Sequence, residues 1–471
     1  MTPGAAMTPS SPAPLTVIPP VSRQVCVVGA GYVGLTAAAC LSHLGHRVRC
    51  LEADEHRLNQ LRHGRVPIHE PGLDELVAEG MASGRLSFLD DTEQALRGAE
   101  VALLCVGTPP QPNGEPDLGH LAAAARQLAR AAARDLIIVV KSTVPPGSCE
   151  ALELIVAAEA RAGVRIRVAS SPEFLRESQA VADFLAPDRV VVGAEEREVA
   201  EVVVSLYPPG SQVVHCDRRG AELVKYAANT MLAVKISFAN EVARLCEALG
   251  TDAATVLEGV GLDSRIGAAF LRPGPGYGGS CLPKDVAGFR AVGAALDVPT
   301  PVADAAERQN VLARESVTDK LRLSLGRLAG ARIAVLGLAF KPGTDDTRDS
   351  PGVAIARWLV AAGAQLRCHD PLTGPMAGLG RWEPTPEAAV TGADATVITI
   401  GCEEFRHLDL TALAERMAGH VLIDAAGVID LDAAAAAGLS VYGVGRGTAL
   451  DFHPIVWAPL QWAHPVAVPT C

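Results

Sequence analysis

Cys281 stands in the run Gly278-Gly279-Ser280-Cys281-Leu282-Pro283-Lys284-Asp285, bracketed by glycines and followed closely by a lysine and an aspartate. A thiol housed in this way can attack a carbonyl. A second signal lies far upstream, in Gly29-Ala30-Gly31-Tyr32-Val33-Gly34. Its first glycine permits a tight turn, its second lets backbone approach a pyrophosphate, and its third allows close helix–strand packing. A dinucleotide fingerprint and one set-apart cysteine together predict an oxidation through a covalent thiol adduct. Glu173 and Glu177 are four residues apart, which on a helical turn would place both on one face. Paired carboxylates of separated acidity could carry the proton traffic, and the spacing does not say which is the base. Lys225 and Asn229 share the same spacing, and Lys225 falls among Leu223, Val224 and Tyr226, which predicts partial burial.

These groups need elements to hold them. Gln24–Val28 reads as a strand, the glycine turn follows, and Leu35–Leu44 is a small-residue helix stopped by Gly45. The anion would then sit at the positive end of a helix starting near Val33. Val48–Leu51 closes a βαβ unit, and Glu52 at its end is placed to accept hydrogen bonds from an adenosine ribose and to repel a 2′-phosphate. That favours NAD over NADP. Strands are also predicted at 101–106, 136–140 and 189–192, with helical, Ala-rich sequence between the earlier ones. From Gly220 to Leu249, apolar residues recur at three- and four-residue steps, the mark of a single helix of roughly 45 Å that Gly250 ends. A second alternating region begins at 332–337, with later strands at 365–368, 396–400, 421–424 and 440–444. The expected fold class is α/β, two Rossmann-like doubly wound domains joined by a long central helix. The boundaries are a disordered tail over 1–22, an NAD-binding domain over 23–216, and a central helical domain with the cysteine loop over 217–325. A Rossmann-like domain over 326–450 and a tail over 451–471 complete the chain.

Composition excludes several classes. A net charge of −12 argues against nucleic acid or an anionic membrane as partner. No apolar run approaches the ~18 residues of a membrane span, and no signal peptide is expected. The 11 cysteines are odd in number and form no CxxC pair, and most sit in apolar runs, which fits a reduced, cytoplasmic compartment. No HExxH or Cys/His ligand spacing occurs, so no metal is expected.

Further ordered motifs widen the pattern. They are Ile68-His69-Glu70-Pro71-Gly72-Leu73, Lys141-Ser142-Thr143-Val144-Pro145, Pro172-Glu173-Phe174-Leu175-Arg176-Glu177, Glu222-Leu223-Val224-Lys225-Tyr226-Ala227-Ala228-Asn229 and Phe340-Lys341-Pro342-Gly343-Thr344-Asp345-Asp346-Thr347-Arg348. With the fingerprint and the cysteine loop, the chain resembles the UDP-glucose/GDP-mannose dehydrogenase family from Val27 to about Arg446. The resemblance implies a four-electron oxidation at C6 of a nucleotide-linked sugar, with two NAD, an aldehyde, and a thioester on Cys281 that water hydrolyses. It implies that Asp285 and Lys225 organise the water and stabilise oxyanions, that Glu177 lies near C6 with Glu173 in the same network, and that Thr143 holds a water. Asn229 joins this catalytic set. Tyr32, Val33, Thr108, Thr143 and Arg348 would line the NAD site beside Gly29, Gly31, Gly34 and Glu52. Phe174, Leu175, Lys225, Asn229, Arg265, Phe270, Arg272, Gly278, Phe340 and Lys341 would take the sugar nucleotide. Arg265 would reach a neighbouring subunit's site in a homodimer built on the long helix. Three departures stand out. Ser171 replaces an asparagine, Asp424-Ala425-Ala426-Gly427 lacks an arginine expected at the nucleotide, and Gly401-Cys402-Glu403 replaces a Glu-Trp pair. UDP-glucose is the expected substrate, with dTDP-glucose the rival and GDP-mannose a weaker one. An inactive sugar-nucleotide-binding homologue and a two-electron dehydrogenase are the alternatives from other classes.

Overall fold

The computed structural model describes residues 22–111 and 113–446, and these fall into two compact units. One unit holds the chain up to Thr108 together with Asp117–Lys225, and the other holds Pro109–Pro116 and everything from Tyr226 onward. The tails expected over 1–22 and 451–471 lie, Ser22 apart, outside the described residues.

The first unit is built on an eight-stranded sheet in the order β3-β2-β1-β4-β5-β6-β7-β8. The strands are β1 (Gln24–Val28), β2 (Arg47–Leu51), β3 (Leu86–Leu89), β4 (Val101–Leu104), β5 (Leu136–Val140), β6 (Ile166–Ser170), β7 (Val190–Gly193) and β8 (Val213–Cys216). Both faces are covered, and the alternation of side chains shows it. Val25, Val27, Ile137 and Val139 enter one apolar core, and Cys26, Val28, Leu136, Ile138 and Val140 enter the other. A strand buried on both faces must be apolar at its buried positions, which is why Val25–Val28 of β1 and all of β5 read as unbroken hydrophobic runs. The parallel pairing runs from β3 to β6. It then reverses. β7 meets β6 antiparallel through Ser170 and Gly193, and β8 runs parallel to β7.

In the second unit the strands are β9 (Arg332–Leu336), β10 (Gln365–His369), β11 (Arg381–Trp382), β12 (Ala395–Ile398), β13 (Val421–Asp424) and β14 (Ser440–Gly443). They pair in parallel in the order β11-β10-β9-β12-β13-β14, the doubly wound arrangement. Ile333 and Val335 face one core, Ala334 and Leu336 the other.

The helix Arg218–Leu249 begins in the first unit and ends in the second. Gly250, at φ +65, stops it as the sequence predicts. Its apolar residues are not all interior. Tyr226 and Ala233 are buried, whereas Leu223, Met231, Phe238, Leu245 and Leu249 are exposed.

Candidate active site

The first unit carries the dinucleotide turn. β1 ends at Val28, Gly29 turns at φ +93, and the helix Tyr32–His43 begins directly after its N-cap Gly31. A Cβ on Gly29 would lie 3.0 Å from the Cys105 carbonyl oxygen, so only glycine fits between the turn and the strand beside it. A Cβ on Gly34 would collide with the Gly29 carbonyl. Gly31 has open space where its Cβ would be, and no side chain caps the helix that it starts. Uncapped N–H groups at an open helix start suit a pyrophosphate. Glu52, at the end of β2, is buried with its carboxylate turned to this loop, accepting Ala30 N–H at 2.8 Å and Asp54 N–H at 2.7 Å. Arg57 Nη1 lies 3.2 Å from the same carboxylate, a neighbour the sequence reading did not single out. These residues fit NAD. The equivalent turn of the second unit is spent differently. Leu338 and Ala339 N–H donate to Asp370, and Ser350 caps the helix Pro351–Ala361.

Around the fingerprint, Tyr32 hydroxyl donates to Glu70 and accepts Ser178 N–H at 3.0 Å, and Glu70 also accepts Ala180 N–H at 2.7 Å. Val33 is half-buried against the core. Thr108 hydroxyl donates to the Thr143 carbonyl at 2.9 Å, bringing these two predicted residues together.

Glu173 and Glu177 do not share a helical face. Ser171–Arg176 lies in neither helix nor strand and Glu177 opens a turn; Ser171 N–H pairs with the Val140 carbonyl while Glu173 accepts Leu175 N–H at 2.6 Å. That local ring of the carboxylate with its own backbone holds the chain out of a helix. Glu173 Oε1 takes Lys225 Nζ at 2.8 Å, and both side chains are buried. Burial pushes the Glu173 carboxyl up, but the Lys225 ammonium, Leu175 N–H and Lys141 together hold it below the usual carboxylate range. Phe174 lies under the Arg189 guanidinium at 3.9 Å and under Lys225 Nζ at 5.5 Å. Leu175 packs against the core of the first unit.

The second unit carries the cysteine loop. Cys281 occupies the N-cap of the helix Leu282–Ala295, where unpaired N–H groups favour negative charge. Its Sγ lies 3.5 Å from Ser280 Oγ. Asp285, fully buried one turn on, takes Asn229 Nδ2 at 2.6 Å and Lys284 Nζ at 2.5 Å. Lys284 was visible in the motif, and its ion pair with Asp285 was not. The paired glycines have a reason. A Cβ on Gly279, at φ +85, would lie 2.6 Å from the Phe340 ring, and one on Gly278 would strike the Asp349 carbonyl. The loop is thus pressed onto 340–349, with Gly279 N–H on the Arg348 carbonyl at 2.9 Å. From the helix Pro301–Leu325, Asn310 exchanges two hydrogen bonds with the Tyr277 backbone, and Arg314 donates to the Tyr277 carbonyl at 2.7 Å. Nothing in the sequence marked these two residues among the many polar positions of that helix.

The remaining predicted residues are dispersed in the second unit. Lys341 Nζ lies 5.5 Å over the Phe340 ring. Arg348 pairs with Asp346, and Arg265, 86% exposed, pairs with Asp263. Arg272 is exposed, and Phe270 stands at φ +64. Where the expected arginine is absent, Asp424 is fully buried at the end of β13 and holds Arg446 Nη2 at 3.2 Å, so an arginine from beyond β14 comes to this loop instead. Among the described residues no His, Cys, Asp and Glu cluster could hold a metal, and no helix is long and apolar enough to cross a membrane.

A doubly wound NAD fold, a second doubly wound fold and a cysteine at a helix N-terminus define a class of NAD-dependent dehydrogenases. Residues 23–210 match the NAD-binding domain of the UDP-glucose/GDP-mannose dehydrogenase family, 219–311 its central domain and 334–431 its UDP-binding domain. The chain belongs to that family, and NAD is its cofactor. It is 40% identical over 443 residues to the UDP-glucose 6-dehydrogenase of Pseudomonas aeruginosa, covering 90% of this chain and 97% of the relative. With the UDP-glucose 6-dehydrogenase of Rhizobium meliloti it shares 41% identity over 444 residues, 90% of this chain and 99% of the other. The structure of a UDP-glucose dehydrogenase from Pyrobaculum islandicum is similar with a TM-score of 0.84 at 39% identity, over 89% of this chain and 98% of that one.

Proposed function

We propose that this protein oxidises C6 of UDP-glucose to the carboxylate of UDP-glucuronate in two successive two-electron steps. The observation that carries the reading is Cys281 at a helix N-cap, one turn from a buried Asp285 held by Asn229 and Lys284. Bound NAD supplies the electron acceptor, one molecule for each step, and Gly29, Gly31, Tyr32, Val33, Gly34, Glu52, Thr108, Thr143 and Arg348 are assigned to hold it.

The chain's own groups do the rest. Glu173, with both oxygens engaged, is assigned as the fixed charge that keeps Lys225 protonated and aimed. Lys225 then stabilises oxyanions, and Glu177, with a water held by Thr143, takes up the alcohol proton. The Cys281 thiolate adds to the aldehyde carbon. Oxidation of that thiohemiacetal leaves a thioester, which a water positioned by Asp285 and Asn229 hydrolyses, returning the thiol. Phe174, Leu175, Arg265, Phe270, Arg272, Gly278, Phe340 and Lys341 are assigned to the sugar nucleotide. The names of the relatives favour UDP-glucose over dTDP-glucose and GDP-mannose. The exposed Leu223, Met231, Phe238, Leu245 and Leu249 support a homodimer through the long helix, with Arg265 offered to the partner. The ten free cysteines among the described residues support a reducing, cytoplasmic location.

The test is the NADH released per limiting sugar nucleotide, compared across UDP-glucose, dTDP-glucose and GDP-mannose. Two NADH per UDP-glucose is expected. One would mean that the reaction stops at the aldehyde, and none with any of the three would overturn the enzymatic reading.

A further inference from the structure

The first turns of the long helix carry a buried acid that none of these steps uses. Glu222 is 2% exposed, and its two carboxylate oxygens accept Gly147 N–H at 2.7 Å and Cys149 N–H at 2.8 Å. Those donors open the helix Ser148–Glu159, whose N-cap Gly147, at φ +97, has no side chain to offer. Burial raises the Glu222 carboxyl above the usual range in spite of the N–H groups that pull it down, so the charge is costly to keep there. A serine or aspartate at the N-cap would satisfy a helix start more cheaply. What a remote glutamate adds is a tie between two elements.

The tie ends a loop of interest. From β5 the chain runs through Ser142, whose hydroxyl donates to the Val106 carbonyl at 2.7 Å, and Thr143, whose carbonyl takes Thr108 Oγ1 at 2.9 Å. It then reaches Gly147 and the Glu222 carboxylate. Three residues further along the same helix, Lys225 holds Glu173 at 2.8 Å. One helical turn therefore grips both the loop with Thr143 and the loop with Glu173. We propose that Glu222 is a positioning residue that fixes Thr143 relative to the Glu173–Lys225 pair. This rests on the assignment of Thr143 to the reaction.

The experiment is a double-mutant cycle on the full-length enzyme with E222Q, T143A and the pair, read as kcat and as KM for NAD and for UDP-glucose. Glutamine keeps the volume but turns an NH2 toward a backbone N–H, releasing one end of the loop. E222Q is expected to lower kcat by about 10- to 100-fold with KM for UDP-glucose within about twofold, as a misplaced reacting group does, and to move KM for NAD no further than T143A does, since Thr143 is also assigned to NAD. The double variant is expected to be no slower than T143A alone, since Glu222 acts through Thr143. Losses that multiply would overturn the role of Glu222 and leave that of Thr143 standing. A fully active T143A would remove Thr143 from the reaction, and this proposal with it. E222D, which keeps the charge but falls short of one donor, carries the same cycle if E222Q does not fold.

Discussion

Lys225 Nζ and Glu173 Oε1 meet at 2.8 Å with both side chains buried, and the pair joins the long helix to the loop after β6. Two charges drawn out of water are tolerated only while each answers the other. K225M should therefore destabilise by about 3–5 kcal/mol, because the buried Glu173 loses its ion-pair partner. The double variant K225M/E173Q should recover most of that stability and none of the activity. Denaturant unfolding with an NADH assay separates the two effects, and a stable single variant would show that the pair is not the anchor described.

Cys281 is assigned to the second oxidation alone. C281A should bind NAD as the native enzyme does and yield no UDP-glucuronate. C281S should reach a slowly hydrolysed ester, so NADH should approach two per active site and then nearly stop. Mass spectrometry of the quenched protein checks for that adduct, and normal turnover by C281A would rule out covalent catalysis.

Glu52 accepts Ala30 and Asp54 N–H and also meets Arg57, so its loss loosens the turn and, on the proposed assignment, removes the ribose acceptor. E52A should weaken NAD by about 10- to 100-fold, roughly 1.4–2.8 kcal/mol, with the affinity for UDP-glucose unchanged. Titration of each ligand separately, followed by protein fluorescence, is the check.

How much of this could be read from residue order depends on how local the cause is. β5 was legible end to end because Leu136–Val140 is apolar at every position, and every one is buried. β3 escaped because Leu86–Leu89 is short and alternating, with Ser87 exposed, and β11 is two residues long. The reversal at β7 leaves no local mark, since a strand reads the same in either direction. Glu173 and Glu177 were singled out for their chemistry, and their expected shared helical face is absent. The helical spacing holds only if the backbone is helical, and the Glu173–Leu175 bond prevents that. The glycines beside Cys281 were noticed without their cause, because the Phe340 ring that demands Gly279 arrives from a distant loop. Asn310 and Arg314 gave no signal at all, since what they bind is backbone.

That glycine supports a sharp expectation. G279A combines a φ of +85, which disfavours any Cβ, with a contact of 2.6 Å to an aromatic ring. Positive-φ strain alone costs about 1–3 kcal/mol, and the ring must also move. The variant should lose stability and also activity, because the displaced loop carries Cys281. G278A should behave alike, whereas Gly259→Ala, where nothing lies within 4 Å, should be neutral. Thermal melts with turnover assays on the three would decide it.

Stability should also depend on pH through His46. This side chain is buried, and its Nδ1 accepts Arg23 N–H at 3.2 Å, a bond that only the neutral ring can receive. Burial and the Arg23 charge hold it below its ordinary value of 6.5, although the Leu206 carbonyl and Glu100 oppose them. A depressed histidine means that the unfolded chain takes up the proton first as pH falls. The stabilising contribution is therefore complete above pH 6.5 and is lost as pH falls below it through the depressed folded value. Glu173 follows the same sign lower down, its contribution being complete above its ordinary value of 4.5 and lost in more acid solution. Two separate acid losses are expected in Tm, and H46Q should remove only the upper one. Melting followed from pH 8 to pH 4 for the native chain and H46Q makes the comparison. Identical slopes between pH 8 and pH 5 would exclude His46 as the source.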